Sequence, residues 1–243
     1  DTSQLSQGVV GASARSDARL KFQVVKGEMS YNYDLPGDGT PIIVPINMGD
    51  GPYTFRVMQN TSGNNYVELF SVIDNVNLSS ETAPYLVPNV FVNYNESSAV
   101  VAKARELAQG AANQGDVVRN IYQWVVDNIT YDHDKAAQLA SATGYVPDPD
   151  ATLASGTGIC FDYASLGAAM LRSLGIPCQV ITGYVSPDDV YHAWNMVYID
   201  GEWISVEISI KPNSWTRVDL TFAASGAAST IGDGTSYTDR YTY

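Results

Sequence analysis

The pattern of apolar and polar residues divides the 243-residue chain into two parts. From Arg19 to about Tyr94, short apolar runs alternate with polar residues and are separated by turns such as Pro36-Gly37-Asp38-Gly39. A period of two is typical of strands that bury one face. Strands at this spacing predict a small antiparallel sandwich or barrel, which would be an accessory module over residues 19–95. The polar residues before it predict a flexible N-terminal tether over 1–18.

A helical period replaces the strand pattern after this module. Ser97 or Ser98 is expected to cap a helix that ends near Gly110, and Asp116 is expected to cap a second helix. Strands follow the helices further along the chain. The fold class predicted for the whole chain is therefore α+β, with a second domain over 96–243.

The chemistry of the chain is concentrated between Gly156 and Ile208. Cys160 begins an apolar run without a clean polar face, which predicts a buried helix that ends at Gly175 and Pro177. The first turn of a helix has free N–H groups and a positive dipole end. This position favours the thiolate, which is the nucleophilic form of cysteine.

Three strands are expected after this helix, over 177–184, 191–198 and 202–207. Asp200-Gly201 predicts a two-residue hairpin turn, in which Tyr198 or Ile199 pairs with Glu202 or Trp203. That register places His192 nearly opposite Glu207, with one residue of uncertainty. A carboxylate beside a histidine can fix its tautomer and stabilise the imidazolium. Cys160, His192 and Glu207 are thus the candidate nucleophile, base and orienting group.

The same segment resembles the core of the transglutaminase-like superfamily of cysteine enzymes. The resemblance covers roughly Ser97 to Ser209, with its pieces in the family's order and spacing. The matching pieces are Gly158-Ile159-Cys160, Asp162-Tyr163-Ala164, Leu171-Arg172-Ser173-Leu174-Gly175-Ile176-Pro177, Thr182-Gly183-Tyr184, His192-Ala193-Trp194 and Asp200-Gly201-Glu202-Trp203. It implies a papain-like catalytic domain of the bacterial secreted type. Cys160 would be its nucleophile and His192 its base.

Two further features follow from the resemblance. The family's third catalytic residue, usually Asp, falls on Glu207. The loop from Gly144 to Asp150 resembles one that precedes the catalytic cysteine in bacterial members, so Tyr145 is expected to line the cleft.

The charge and hydropathy of the chain limit the classes of partner that it is expected to bind. The formal net charge of −13 argues against nucleic acid and anionic membranes, because polyanions would be repelled. No run approaches the ~20 apolar residues of a membrane span. The chain begins at Asp1 without methionine, which is expected of a mature or trimmed protein. We therefore expect an extracellular or cell-surface location. The expected substrate is a peptide or a protein, and cell-wall-associated substrates are among the candidates. The sequence does not specify the oligomeric state.

Several residues have a second interpretation. A Cys160–Cys178 disulfide is the alternative to a nucleophilic Cys160 beside a buried Cys178. The cluster Asp132-His133-Asp134 invites a metal site, but a solvated, partly capping role is favoured because no second cluster completes a shell. We expect no cofactor and no metal. The β-module is either a plain accessory module or one that binds carbohydrate or protein.

The function predicted is thiol-dependent acyl transfer on peptide or protein amides through a thioester intermediate, with hydrolysis favoured over crosslinking. The alternatives are a protein-glutamine gamma-glutamyltransferase and a non-catalytic binding protein that keeps the fold.

Overall fold

A computed structural model describes residues 1–140, 142–185, 190–199, 215–218 and 237–243. The chain forms two compact units, Asp1–Val90 and Phe91–Tyr243. The α+β class is confirmed, with β-structure in the first unit and mixed structure in the second.

The first unit is antiparallel throughout. Its strands are β1 (Val9–Ala12), β2 (Leu20–Lys26), β3 (Met29–Leu35), β4 (Ile42–Pro45), β5 (Gly51–Ser62) and β6 (Asn65–Val76). One sheet has the order β3-β2-β5-β6, and a second pairs β1 with β4. Alternating side chains, including Phe22, Val24, Tyr33 and Phe55, are buried, as the period-two pattern predicts.

The N-terminal segment is not the flexible tether that was predicted for residues 1–18. Val9 and Val10 are buried, and β1 pairs with β4 in the register Val10↔Val44. The polar residues around these two valines obscured a short strand, because its pairing partner lies more than thirty residues further along the chain.

The second unit packs helices on an antiparallel sheet. Its elements are α1 (Ala99–Leu107), α2 (Gln114–Asn128), β7 (Thr130–Tyr131), α3 (His133–Leu139), α4 (Pro149–Ser155), β8 (Thr157–Gly158), α5 (Cys160–Ser173), β9 (Cys178–Val185), β10 (Val190–Tyr198), β11 (Trp215–Val218) and β12 (Tyr237–Thr242). The main sheet has the order β11-β10-β9-β12, and α5 packs against β9 and β10. Residues 162–172 of α5 are all buried, as an apolar run without a polar face predicts.

Two details of this unit differ from expectation. The cap of α2 is Asn113, whose side chain accepts from the backbone N–H of Asp116 at 2.9 Å. The second unit also begins at Phe91, a few residues before the predicted boundary at 95/96. The reason is packing, because the Phe91 ring lies 5.4 Å from that of Phe161 and its carbonyl accepts from Ser165 Oγ at 2.6 Å.

The predicted hairpin register is also wrong at Tyr198. Its partner across the strand is Trp215, and the pairing runs to Asn195↔Val218. A local turn signal such as Asp200-Gly201 does not determine which later segment completes a sheet. The expected turn and the strand 202–207 lie outside the described residues.

Candidate active site

Cys160 is the first residue of α5, as predicted, and its side chain is half-buried. A glycine is required just before it, since a Cβ on Gly158 would lie 2.7 Å from the Cβ of Asp162. Backbone N–H groups in the first turn of a helix lack the carbonyl partners of later turns and can stabilise an anion. The thiol therefore lies where a thiolate or an oxyanion would be stabilised.

A two-residue parallel pairing brings Tyr131 to this helix start. Tyr131 pairs with Gly158 between β7 and β8, and the N–H of Asp132 donates to the Gly158 carbonyl at 2.9 Å. Burial raises the pKa of the Tyr131 phenol, and the nearby charges of Cys160 and Asp162 raise it further. No local sequence pattern marks Tyr131, because only this non-local pairing places it beside the thiol.

His192 lies on β10 opposite Gly183 and is only 7% exposed. Its ring lies 6.4 Å from the ring of Trp194, with 25° between the two planes. Gly183 has no space for a side chain, since a Cβ there would lie 2.7 Å from Trp194 Cη2. The histidine is thus held in a tightly packed aromatic environment.

The elements that carry Cys160 and His192 are joined by Asn195. Its Nδ2 donates to the Ala164 carbonyl of α5 at 2.9 Å and to the Gln179 carbonyl of β9 at 3.0 Å. Alternation along β10 puts His192 on the face that carries Trp194, opposite the face of Asn195. No hydrogen bond joins Cys160 to His192 within the described residues. Catalytic hydrogen bonds are often loose in ligand-free enzymes and tighten when substrate binds.

Glu207 and Cys178 are the two remaining residues that the sequence singled out. Glu207 lies outside the described residues. Cys178 is fully buried and, like Cys160, free of any disulfide. Burial raises the pKa of its thiol to about 12. Cys178 is therefore a buried small side chain and a poor nucleophile.

A carboxylate is buried within the first turn of α5. Asp162 is fully buried and accepts from the N–H of Ile159 at 2.8 Å, from Lys135 Nζ at 2.7 Å and from the Tyr145 hydroxyl at 2.5 Å. We call Lys135, Tyr145 and Asp162 the buried triplet after its fully buried carboxylate; the Lys135 side chain is 31% exposed and Tyr145 is half-buried. Tyr145 also lies near Phe161, with 6.5 Å between the ring centres, so its loop packs against the start of the helix.

The cluster Asp132-His133-Asp134 lies at the start of α3, which is a short helix with Asp132 as its N-cap. Asp132 caps this helix by accepting from the N–H of Lys135 at 2.8 Å, in line with the capping role. Among the described residues, no group of three or more His, Cys, Asp or Glu side chains is arranged to hold a metal ion. Within that part of the chain, no helix is long and apolar enough to cross a membrane.

Comparison with known proteins shows which family the segment around Cys160 and His192 resembles. Residues 101–208 match the family model of the transglutaminase-like superfamily. The chain is 33% identical over 120 residues to cytokinesis protein 3 of Schizosaccharomyces pombe, covering 44% of this chain and 12% of that protein. It is 31% identical over 112 residues to the mouse kyphoscoliosis peptidase, covering 42% of this chain and 16% of that protein. The chain thus spans a small part of the length of both relatives.

A solved structure supports the fold. A protein of Cytophaga hutchinsonii, provisionally described as a cysteine protease, has a TM-score of 0.50 at 15% identity. The match covers 97% of this chain and 79% of that chain. At this identity the likeness concerns the fold alone. The family match concerns residues 101–208, the segment that holds Cys160 and His192, and this segment is similar to the transglutaminase-like superfamily.

Proposed function

We propose that the chain is a cysteine enzyme that transfers acyl groups from peptide or protein amides, with Cys160 as nucleophile, His192 as base and Glu207 as the residue that orients the histidine. The observation that carries the proposal is the position of Cys160 at the first residue of α5, on a helix packed against the strand that holds the buried His192. The family match covers all three residues.

The chemistry follows from the properties of these groups. His192 takes the proton from the Cys160 thiol, and the thiolate attacks the amide carbonyl. Backbone N–H groups at the start of α5 stabilise the oxyanion. His192 then gives its proton to the leaving amine, which leaves a thioester on Cys160. Water hydrolyses the thioester, or a primary amine replaces water and forms a new amide bond.

We favour hydrolysis over crosslinking. The name of the kyphoscoliosis relative describes a peptidase. A glutamine-containing peptide offered together with a labelled primary amine distinguishes the two outcomes. Cleaved or deamidated peptide supports hydrolysis, whereas incorporated label supports transfer to the amine.

The proposal is tested by the rate of iodoacetamide alkylation at Cys160 as a function of pH, measured by mass spectrometry. In the intact chain we expect half-maximal reactivity well below the ~8.5 of an ordinary cysteine. His192→Ala should lose this reactivity at neutral pH, because an imidazolium no longer stabilises the thiolate. His133→Ala is the matched control, since His133 is the second of the two histidines and is exposed.

Cys178 serves as an internal reference because it is buried in the same molecule. If the intact chain and His192→Ala react alike and slowly, the catalytic proposal fails. The chain is then a non-catalytic binding protein that keeps the fold. Glu207→Gln tests the third residue separately, and we expect a smaller loss of activity than for His192→Ala because Glu207 acts only through the histidine.

A further inference from the structure

The buried triplet presents an electrostatic problem for Cys160. Asp162 lies two residues after Cys160 on the same helical turn and is fully buried. A buried carboxylate is costly unless it is paired and hydrogen-bonded. Its negative charge would also oppose the helix dipole and disfavour a second negative charge on the nearby thiol. The site therefore needs a cation that compensates Asp162.

Lys135 supplies that cation from a different element. Its Nζ lies 2.7 Å from Asp162 Oδ2 and 4.8 Å from the centre of the Tyr145 ring. Partial burial lowers the pKa of Lys135, but the hydrogen bonds to Asp162 and Tyr145 outweigh burial, and the net shift is upward. Lys135 thus stays positively charged throughout the neutral range. Its backbone is fixed by the cap that Asp132 provides.

We propose that Lys135 is a positioning residue of the active site, which neutralises Asp162 so that the first turn of α5 can stabilise the Cys160 thiolate. Through the same contacts it holds the Tyr145 loop against the helix start. The proposal rests on the nucleophilic role of Cys160. It assigns a function to a lysine that no motif marks, and it gives Asp162 more than the helix-dipole role expected of an acidic residue in a first turn.

His192 lies on the face of β10 opposite Asn195, which contacts α5, whereas two phenols lie near the thiol on other elements. Tyr131 faces it from β7, where the charge of Cys160 helps to raise the phenol pKa. Tyr145 approaches from the preceding loop, and burial followed by its bond to Asp162 raises its pKa to about 12. Both phenols are neutral near pH 7, and the charged side chains near this helix start include Lys135, Asp162 and Asp132, which caps α3.

The test is the rate of iodoacetamide alkylation at Cys160 between pH 5 and pH 9 in the full chain and its variants. Lys135→Met should slow alkylation at pH 7 by about tenfold, because an uncompensated carboxylate then faces the thiolate. Lys135→Arg keeps the charge and should retain most of the rate. The double variant Lys135→Met with Asp162→Asn should recover the rate, since it removes the charge that the lysine compensates.

Lys21→Met is the matched control. Lys21 also forms an ion pair at 2.7 Å, with Asp34, but that carboxylate is 43% exposed and belongs to the first unit. Loss of the Lys21 charge should leave the alkylation rate at Cys160 unchanged. Circular dichroism and thermal unfolding show whether each variant is folded. Lys135→Gln, which keeps a hydrogen-bond donor, replaces Lys135→Met if the latter does not fold.

The outcomes separate this proposal from the proposed function. A folded Lys135→Met that matches the intact chain at every pH overturns the proposal, as does a double variant slower than the single one. If the intact chain itself reacts like an ordinary thiol, the proposed function fails. Even in that case, a slower alkylation rate in Lys135→Met that recovers in the double variant would support the compensating role of Lys135.

Discussion

Several ionisable side chains of the second unit are buried in their neutral form. Burial raises the pKa of Tyr94 and Tyr163 to about 12, and it raises the pKa of Cys178 to about 12 as well. For Tyr163 the hydroxyl also donates to the Ile129 carbonyl at 2.7 Å, a bond that only the protonated phenol can make. Each group therefore binds its proton more tightly in the folded than in the unfolded chain.

This property predicts a loss of stability at high pH. A group whose folded pKa is raised contributes stability that is complete below its unfolded pKa and is lost as pH rises through its folded value. This stability is therefore lost between the ordinary pKa values, 9.0 for Cys178 and 10.0 for the tyrosines, and the folded pKa of about 12. We expect the urea midpoint to fall steadily above about pH 9, measured by circular dichroism together with tyrosinate absorbance. A midpoint constant to pH 11 would contradict it.

At the scale of the element, α5 depends on one buried cation at its C-terminal end. Arg172 is 2% exposed, and its guanidinium donates to the Cys178 carbonyl at 2.8 Å and to the Tyr243 carbonyl at 2.9 Å. These bonds join the helix to β9 and to the residue after β12. An arginine near a helix C-terminus also interacts favourably with the dipole.

Arg172→Met should therefore destabilise the chain, because it leaves two carbonyls without their guanidinium donors. We expect a loss of about 2 kcal/mol, which corresponds to a decrease of roughly 4–8 °C in Tm for a unit of this size. Differential scanning calorimetry measures the change. Arg105→Met on α1 is the control, since Arg105 forms an exposed ion pair with Glu96, and its Tm should stay within about 1 °C.

How far the sequence could predict these elements depended on whether the signal was local. The strands of the first unit and the start of α5 at Cys160 follow from periodicity, turn residues and caps within a few positions. The pairing of β10 with β11 could not be inferred in this way, because it joins Tyr198 to Trp215 across an intervening segment. The contacts of Lys135 and Tyr145 with Asp162 likewise join three segments, and no local pattern marks them.

At the scale of the whole molecule, each unit has its own buried apolar residues. In the first unit these include Leu20, Val24 and Tyr53. In the second, one cluster joins the helices to the sheet through residues such as Leu166 and Val180. Cys160, His192 and the buried triplet all belong to the second unit. A unit with a separate core can in principle fold by itself.

We therefore predict that a fragment of residues 91–243 unfolds cooperatively and alkylates Cys160 with the pH profile of the full chain. Matching profiles would mean that the first unit does not contribute to activation of the thiol, whatever it contributes to substrate binding. The fragment 1–90 should likewise show a cooperative transition, because its sheets close around their own apolar residues. A fragment 91–243 that folds but reacts only like an ordinary thiol would contradict this prediction and assign the first unit a direct part in the active site.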